Sequence, residues 1–418
     1  MKVLVIGGGG REHALVWKIA QSPRIEQLFC APGNAGISEI AELIQIPVDD
    51  IDRLVSFAKI RAVDLTVVGP ELPLAHRIVD RFQEIGLRIF GPRRAAAEIE
   101  TSKVFSKALM DKYGIPTAKS EVVSHEAAYT HIASTDLPVV LKVDGLAAGK
   151  GVVIAHSRAE AIAGLDGFKK MGDAANQIII EEYLEGEELS FFVVTDGIRA
   201  LPLGSAQDHK RVFDGNLGPN TGGMGAFSPS PLLTPALESE IMSKVIDPTL
   251  QALSKEGCPY QGVLYAGLML TKKGLYVLEF NARWGDPEAQ TLLPRLKTDW
   301  VDVMEAALDG RLNQINLEWE AGGSICLILA SGGYPGSYEK GEIIWGIQDP
   351  LPDGVLLFHA GTTFKDGEWL TAGGRVLGIT ALGRNLSEAR RQAYAAVKQI
   401  SFEKMHYRTD IGAARESQ

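Results

Sequence analysis

Pro138-Val139-Val140-Leu141-Lys142-Val143-Asp144-Gly145-Leu146-Ala147-Ala148-Gly149-Lys150-Gly151-Val152-Val153-Ile154-Ala155 holds two β-rich runs around a Gly/Ala loop. The loop has the composition of a phosphate-binding P-loop and fails its spacing. Only three residues separate Gly145 from Gly149, and Gly151 stands where a Ser or Thr must meet Mg2+. It also joins two strands, whereas a P-loop feeds a helix. A glycine-rich hairpin with Lys142 at its foot suits a lid that closes over nucleotide phosphates and keeps water from a reactive intermediate. A plain surface hairpin is the alternative.

Upstream, short apolar strands at Val3–Ile6, Leu28–Cys30, Leu65–Val68 and Arg88–Phe90 alternate with helical stretches such as Arg11–Gln21 and Leu74–Ile85. That alternation predicts a parallel sheet covered by helices, with ligands at the carboxyl ends of the strands. The first such loop, Gly7-Gly8-Gly9-Gly10-Arg11-Glu12-His13, is not a dinucleotide fingerprint. The third glycine of that motif would fall at Glu12 or His13, and Pro32-Gly33 follow the second strand where a ribose-binding acid belongs. A helix N-terminus behind glycines still suits an anion, which favours a phosphate- or ribose-bearing ligand over a nicotinamide cofactor. A tight turn with no ligand stays open.

Downstream, a helix from Thr101 carries Lys103 and Lys107 and stops at Tyr113-Gly114-Ile115-Pro116. Ile178–Leu184 reads as a strand running into the acidic cluster Glu181-Glu182-Tyr183-Leu184-Glu185-Gly186-Glu187-Glu188. Such a cluster repels a triphosphate, so it belongs at the sugar and base end of a nucleotide, or is simply a solvated turn. Leu275-Tyr276-Val277-Leu278-Glu279-Phe280-Asn281-Ala282-Arg283 is the sharpest chemical signal. Alternation puts Glu279, Asn281 and, if the strand continues, Arg283 on one face. A carboxylate beside an amide oxygen suits a hard divalent cation, and a neighbouring Arg can stabilise charge developing in a transfer. An ordinary amphipathic strand is the bland alternative. Arg283-Trp284-Gly285-Asp286-Pro287-Glu288 weighs against it, since charges around such a turn point to a structured loop. The last hundred residues, with strands at Ile325–Ala330, Val355–Ala360 and Val376–Thr380 and a helix from Leu386, read as a small α+β unit.

The chain of 418 residues carries 42 Lys+Arg against 52 Asp+Glu, a net charge of −10, which argues against a protein that coats nucleic acid. Three scattered cysteines, Cys30, Cys258 and Cys326, read as reduced thiols. No run approaches a membrane span and the start has no signal-peptide core, so a cytoplasmic protein is expected.

Taken together and in order, these stretches resemble the ATP-grasp ligases and, within them, the phosphoribosylamine–glycine ligase family. The resemblance is carried by Gly7–Ala14, Lys142–Gly151, Glu181–Ser190, Asp208-His209-Lys210-Arg211, Gly218-Pro219-Asn220-Thr221-Gly222-Gly223-Met224-Gly225, Leu278–Arg283, Gly374-Arg375-Val376-Leu377-Gly378 and Tyr407-Arg408-Thr409-Asp410-Ile411-Gly412. It spans nearly the whole chain, and the Pro-Asn-Thr-Gly-Gly-Met-Gly run is its most specific part. Two positions depart from the pattern: Asn216 stands where a second acid after Asp214 is expected, and Trp284 where Phe is usual.

The resemblance implies a multidomain α/β and α+β protein with an ATP-grasp fold. A Rossmann-like N-terminal parallel-sheet domain would span 1–101. The ATP-grasp lid and first lobe would span 102–188, the second lobe 189–318, and a C-terminal α+β domain 319–418. It implies that ATP activates the carboxylate of glycine as an acyl phosphate, which the amine of 5-phosphoribosylamine then attacks. Lys103, Lys142, Gly145, Gly149 and Gly151 would hold ATP phosphates; Glu181, Glu182 and Leu184 the adenine; and Glu188 the ribose. Glu279 and Asn281 would bind Mg2+ or Mn2+. Gly8, Gly9, Gly10, Glu71, Asn220, Thr221, Gly222 and Arg375 would grip phosphoribosylamine, bordered by Asp208, Lys210 and Asp214. Arg283 would face the acyl phosphate or the glycine carboxylate. Arg283, Lys142, Asp208, Lys210 and Asp214 form the implied catalytic set. His209 is expected to make a plain hydrogen bond in preference to acting as a base. Partners would be small molecules only, with no nucleic acid and no membrane, and the chain a monomer or weak homodimer.

Overall fold

The computed structural model describes residues 1–146 and 151–413. At the N-terminus the strands Lys2–Gly7, Gln27–Pro32, Glu42–Leu43, Leu65–Val68 and Ile89–Phe90 form an all-parallel sheet. The spatial order runs 42–43, 27–32, 2–7, 65–68, 89–90, so the chain reverses direction across the sheet at Lys2–Gly7. The loops after Lys2–Gly7 and Leu65–Val68 flank that switch point, where open parallel sheets bind ligands. The expected helix Leu74–Ile85 is two helices, Glu71–Ala75 and Ile78–Glu84. The break is at Arg77, which is left-handed at φ 65°, and its N–H closes the first helix on the Leu74 carbonyl.

The helix Lys103–Tyr113 begins on a Ser102 side-chain cap and ends at left-handed Gly114. It leads into an antiparallel sheet ordered Ser120–Ser124, Gln177–Glu182, Val139–Val143, Val152–Ala155. Ala128, Ile132, Leu141, Leu165, Phe168 and Ile178 give this lobe its own core. The two β-rich runs around the glycine loop are paired as a hairpin, Val139–Val143 against Val152–Ala155. The tip residues 147–150, including Gly149, lie outside the described residues.

An eight-stranded antiparallel sheet makes up most of the rest. Its order is Gly274–Asn281, Gln261–Thr271, Gly186–Asp196, Ala200–Asp208, Gly225–Ser228, Gly323–Ala330, Arg375–Gly383, Val355–His359. The C-terminal strands therefore continue the same sheet through the pairing of Gly225–Ser228 with Gly323–Ala330. Beneath it Phe192, Trp284, Leu292 and Trp300 share one core with the N-terminal helix residues Leu15 and Ile19. Trp284 stacks on Phe192 at 5.6 Å and meets Trp300 edge-on at 5.4 Å, so Trp at this position is a packing choice. All three cysteines are buried and free. Among the described residues no helix is long and apolar enough to cross a membrane.

Candidate active site

The three sheets meet around one cleft of about 1390 Å3, larger than a pocket for one small ligand. At one end, the lysines of the helix Lys103–Tyr113 face the foot of the glycine hairpin. Lys103 Nζ donates to the Gly145 carbonyl at 2.9 Å. Lys142 Nζ lies 2.8 Å from Glu181 Oε2 and donates to the Leu278 carbonyl at 3.0 Å. Lys107, one helical turn after Lys103, shares Glu181 at 3.4 Å and donates to the Ala118 carbonyl. The first strand of the hairpin thus reaches across the cleft to the strand bearing Glu279. Gly145, Gly151, Glu181, Glu182, Leu184 and Glu188 all line this part of the wall. Glu182 is engaged at its carboxylate by the Lys119 N–H at 2.9 Å.

Glu279 and Asn281 sit near the end of the strand Gly274–Asn281, both in the cleft wall. Burial pushes the Glu279 carboxyl up, but Lys210, Lys142 and Lys103 overcome it and hold it below its ordinary value. Among the described residues the Asn281 amide has no hydrogen-bond partner. No group of three or more His, Cys, Asp or Glu is arranged to hold a metal there or elsewhere among them. Two hard oxygen donors with the remaining positions left to phosphate and water fit Mg2+, which binds through one or two protein oxygens plus substrate phosphates.

Arg283 joins this face, though not by continuing the strand, which ends at Asn281. The bend that follows carries its side chain to Glu71 at 3.0 Å and Glu100 at 2.7 Å, and Glu100 also accepts from the Ala282 N–H. Those carboxylates outweigh burial and raise the Arg283 pKa further, so it stays charged. Burial raises the Glu71 carboxyl, and Arg283 with Arg11 overrides that to bring it down to about 2. Glu71 enters the cleft wall from the loop after the strand Leu65–Val68.

At the other end, Arg375 pairs with Asp286 at 3.1 Å and donates to the Gly222 carbonyl at 2.6 Å and the Asp286 carbonyl at 2.7 Å. The Thr221 N–H and hydroxyl both donate to the Lys210 carbonyl, which closes the hairpin on which Lys210 lies. Lys210 Nζ stands 3.2 Å from Glu188 and 3.8 Å from Glu279. Asp208 Oδ1 is shielded and unpartnered, and burial together with Glu288 pushes this carboxyl well up. Asn220, Thr221, Gly222 and Arg375 line the same wall.

Four implied site positions lie off the cleft wall. Gly8, Gly9 and Gly10 do not line the cleft; Arg11 does. The Gly9 N–H donates to Glu12 Oε2 at 2.7 Å, so the chain's own carboxylate takes a donor of the helix N-terminus. Gly7 and Gly69 are glycines for that same side chain, since a Cβ at either would lie within 2.4 Å of Glu12 atoms. Asp214 also stands off the wall, its carboxylate accepting from the Thr409 N–H at 2.8 Å and from the Thr409 hydroxyl. His209 lines the cleft with Nδ1 unpartnered, and burial beside Arg408 lowers its pKa to about 4.

Sequence reading assigned no site role to Glu100, Arg11, Lys107, Asp286 or Glu288. Lys107 carried a signal, four residues after Lys103 on one helix face. Asp286 and Glu288 lay inside the quoted loop. Glu100 had none, because only tertiary packing brings it to Arg283.

Comparison with known proteins agrees along the whole chain. Residues 1–100, 101–289 and 324–414 match the N, ATP-grasp (A) and C domains of phosphoribosylglycinamide synthetase. A phosphoribosylamine–glycine ligase of Caldanaerobacter subterraneus subsp. tengcongensis is 50% identical over 99% of this chain and 100% of its own. One from Vibrio parahaemolyticus is 49% identical over 99% and 98% respectively. The crystal structure of the Thermotoga maritima phosphoribosylamine–glycine ligase superposes with a TM-score of 0.83 at 34% identity, covering 98% of this chain and all of that one. The biotin carboxylase domain of the Hydrogenobacter thermophilus 2-oxoglutarate carboxylase, at 19% identity and a TM-score of 0.77 over 97% and 91% of the two chains, shares the fold alone. With its domains matched end to end and its cleft built at their junction, the chain belongs to the phosphoribosylglycinamide synthetase family, a family of ATP-grasp ligases.

Proposed function

We propose that this enzyme joins glycine to 5-phosphoribosylamine at the cost of ATP. A glycine carboxylate oxygen attacks the γ-phosphorus and ADP leaves. The amine nitrogen of phosphoribosylamine then attacks the carbonyl carbon, phosphate leaves with the carbon–oxygen bond, and the nitrogen loses a proton, giving glycinamide ribonucleotide.

The observation that carries this reading is the order of charges along one cleft. Lysines 103 and 142 lie at one end, the oxygen pair Glu279 and Asn281 follows, then Arg283, then Arg375 beside the Thr221–Gly222 turn. Lys103 and Lys142 orient the triphosphate, and Glu181 to Leu184 with Glu188 take the adenosine. Glu279 and Asn281 would hold Mg2+ or Mn2+, and the ion would supply positive charge to neutralise the phosphate oxygens. Arg283 stabilises the oxygens of the reacting carboxyl group, kept in place by Glu71 and Glu100. Arg375, with the Asn220–Gly222 turn, Asp208 and Lys210, faces the phosphoribosyl substrate. No side-chain nucleophile is required, because ATP supplies activation and the incoming amine attacks, so catalysis is positioning and charge stabilisation.

Phosphate release by the purified enzyme with Mg2+-ATP, glycine and phosphoribosylamine tests this. Turnover is expected only with all three. Turnover with another carboxylic acid and none with glycine would reject the assignment.

A further inference from the structure

The Arg408–Gly412 stretch is part of the sequence signature, yet no step above uses it. Arg408 is 1% exposed, and it makes an ion pair with Asp410, Nε to Oδ1 at 2.7 Å and Nη2 to Oδ2 at 2.6 Å. The remaining nitrogen, Nη1, crosses to the hairpin loop. It donates to the Arg211 carbonyl at 3.0 Å and to Asn216 Oδ1 at 3.1 Å. Asp410 completes the clamp by accepting from the Gly215 N–H at 2.9 Å, and Thr409 binds Asp214. The clamp is itself fixed to the helix Leu386–Val397. Tyr394 donates to the Arg408 carbonyl at 2.9 Å, and Arg390 donates to the Thr409 carbonyl at 2.7 Å.

The clamped loop needs such support. Gly215 and Asn216 are consecutive left-handed residues at φ 68° and 57°, and the side chains of 213–218 are exposed, so little packing holds the turn. The stem of this hairpin is the Lys210 carbonyl bonded to Thr221, and the chain leaves it at Gly222, whose carbonyl accepts from Arg375. Asn216, where an acid was expected, now has a reason. Asn tolerates the left-handed conformation, and its amide oxygen accepts from a guanidinium whose charge Asp410 already balances.

We propose that Arg408 is a positioning residue. From the C-terminal segment it holds the 211–220 hairpin so that Lys210 and the Thr221–Gly222 turn meet the phosphoribosyl substrate in register. The inference rests on the ligase reading for its kinetics. Its hydrogen-exchange arm is independent of that reading.

The test uses the full-length enzyme with Arg408→Ala, Arg408→Lys and Asn216→Gly. Asn216→Gly keeps the backbone conformation and removes only the acceptor. In Arg408→Ala, KM for phosphoribosylamine should rise about tenfold or more with a fall in kcat, since small misplacements are costly. KM for ATP should stay within about twofold. Lys should fail to restore it, lacking the planar fork, while added guanidinium ion restores part of the loss. Asn216→Gly should show the same split at smaller size, which serves if Arg408→Ala does not fold. Amide exchange of 211–221 should accelerate while that of 177–182 is unchanged. Equal rises in all KM values, or unchanged hairpin exchange with only a lower melting temperature, would overturn the proposal. If the wild-type protein ligates nothing, the function reading fails, and the exchange pattern still decides the clamp.

Discussion

Lys142 Nζ, 2.8 Å from Glu181 and 3.0 Å from the Leu278 carbonyl, ties the glycine hairpin to the strand that carries Glu279. One ammonium thus spans two sheets that have separate cores, with a carboxylate from its own sheet and a carbonyl from the other. Lys142→Met should break this link and, on the proposed reading, remove a charge that holds ATP phosphate. KM for ATP is expected to rise about tenfold to a hundredfold, with KM for glycine changed far less. Steady-state kinetics with each substrate varied in turn checks it.

Glu279→Gln keeps the shape of the side chain and removes its charge. Turnover should fall by about a hundredfold or more, because the cation would lose its anionic protein ligand. The melting temperature should move little, since Glu279 lies in the cleft wall and not in a core. Near-normal turnover at saturating Mg2+ would refute the metal assignment.

Arg375→Ala removes the guanidinium that holds Asp286 and the Gly222 carbonyl. KM for phosphoribosylamine should rise about tenfold or more while KM for ATP is spared. Equal effects on both would contradict a position at the acceptor end.

His13 supplies a pH prediction away from the cleft. It is buried where the first helix meets the strand Val355–His359, and its Nδ1 accepts from the His359 N–H at 2.8 Å. Burial, with His359 nearby, lowers its pKa to about 3 from the ordinary 6.5. The unfolded chain therefore binds a proton that the folded chain refuses between those values. Stability from this group is complete above pH 6.5 and is lost as pH falls toward 3, by up to about 1.4 kcal/mol per pH unit. His13→Asn, which can offer an oxygen to the same N–H, should flatten the acid limb of a melting-temperature profile between pH 6.5 and 4. An unchanged slope would show that other groups, such as His359, set it.

The cleft was legible in sequence wherever chemistry is local. Glu279 and Asn281 are two residues apart on a strand, and strand alternation alone puts them on one face. Lys142 was legible because it lies on the strand that enters the glycine hairpin. At Gly8–Gly10, glycine composition does not reveal that Glu12 folds back onto the Gly9 N–H. The two helices 71–75 and 78–84 read as one because apolar spacing continues through Arg77, while the backbone reverses hand there.

What sequence alone determined here is therefore the alternation of strands and helices, the two oxygen donors and the paired hairpin, all set by periodicities of two or 3.6 residues. The charges around Arg283 and the grip of Arg408 on Asn216 were decided only by tertiary structure. Glu100 and Arg283 are far apart along the chain, as are Arg408 and Asn216, and no periodic rule connects them. Packing of the sheets buries these ions together, and buried charges persist only where each finds its partner.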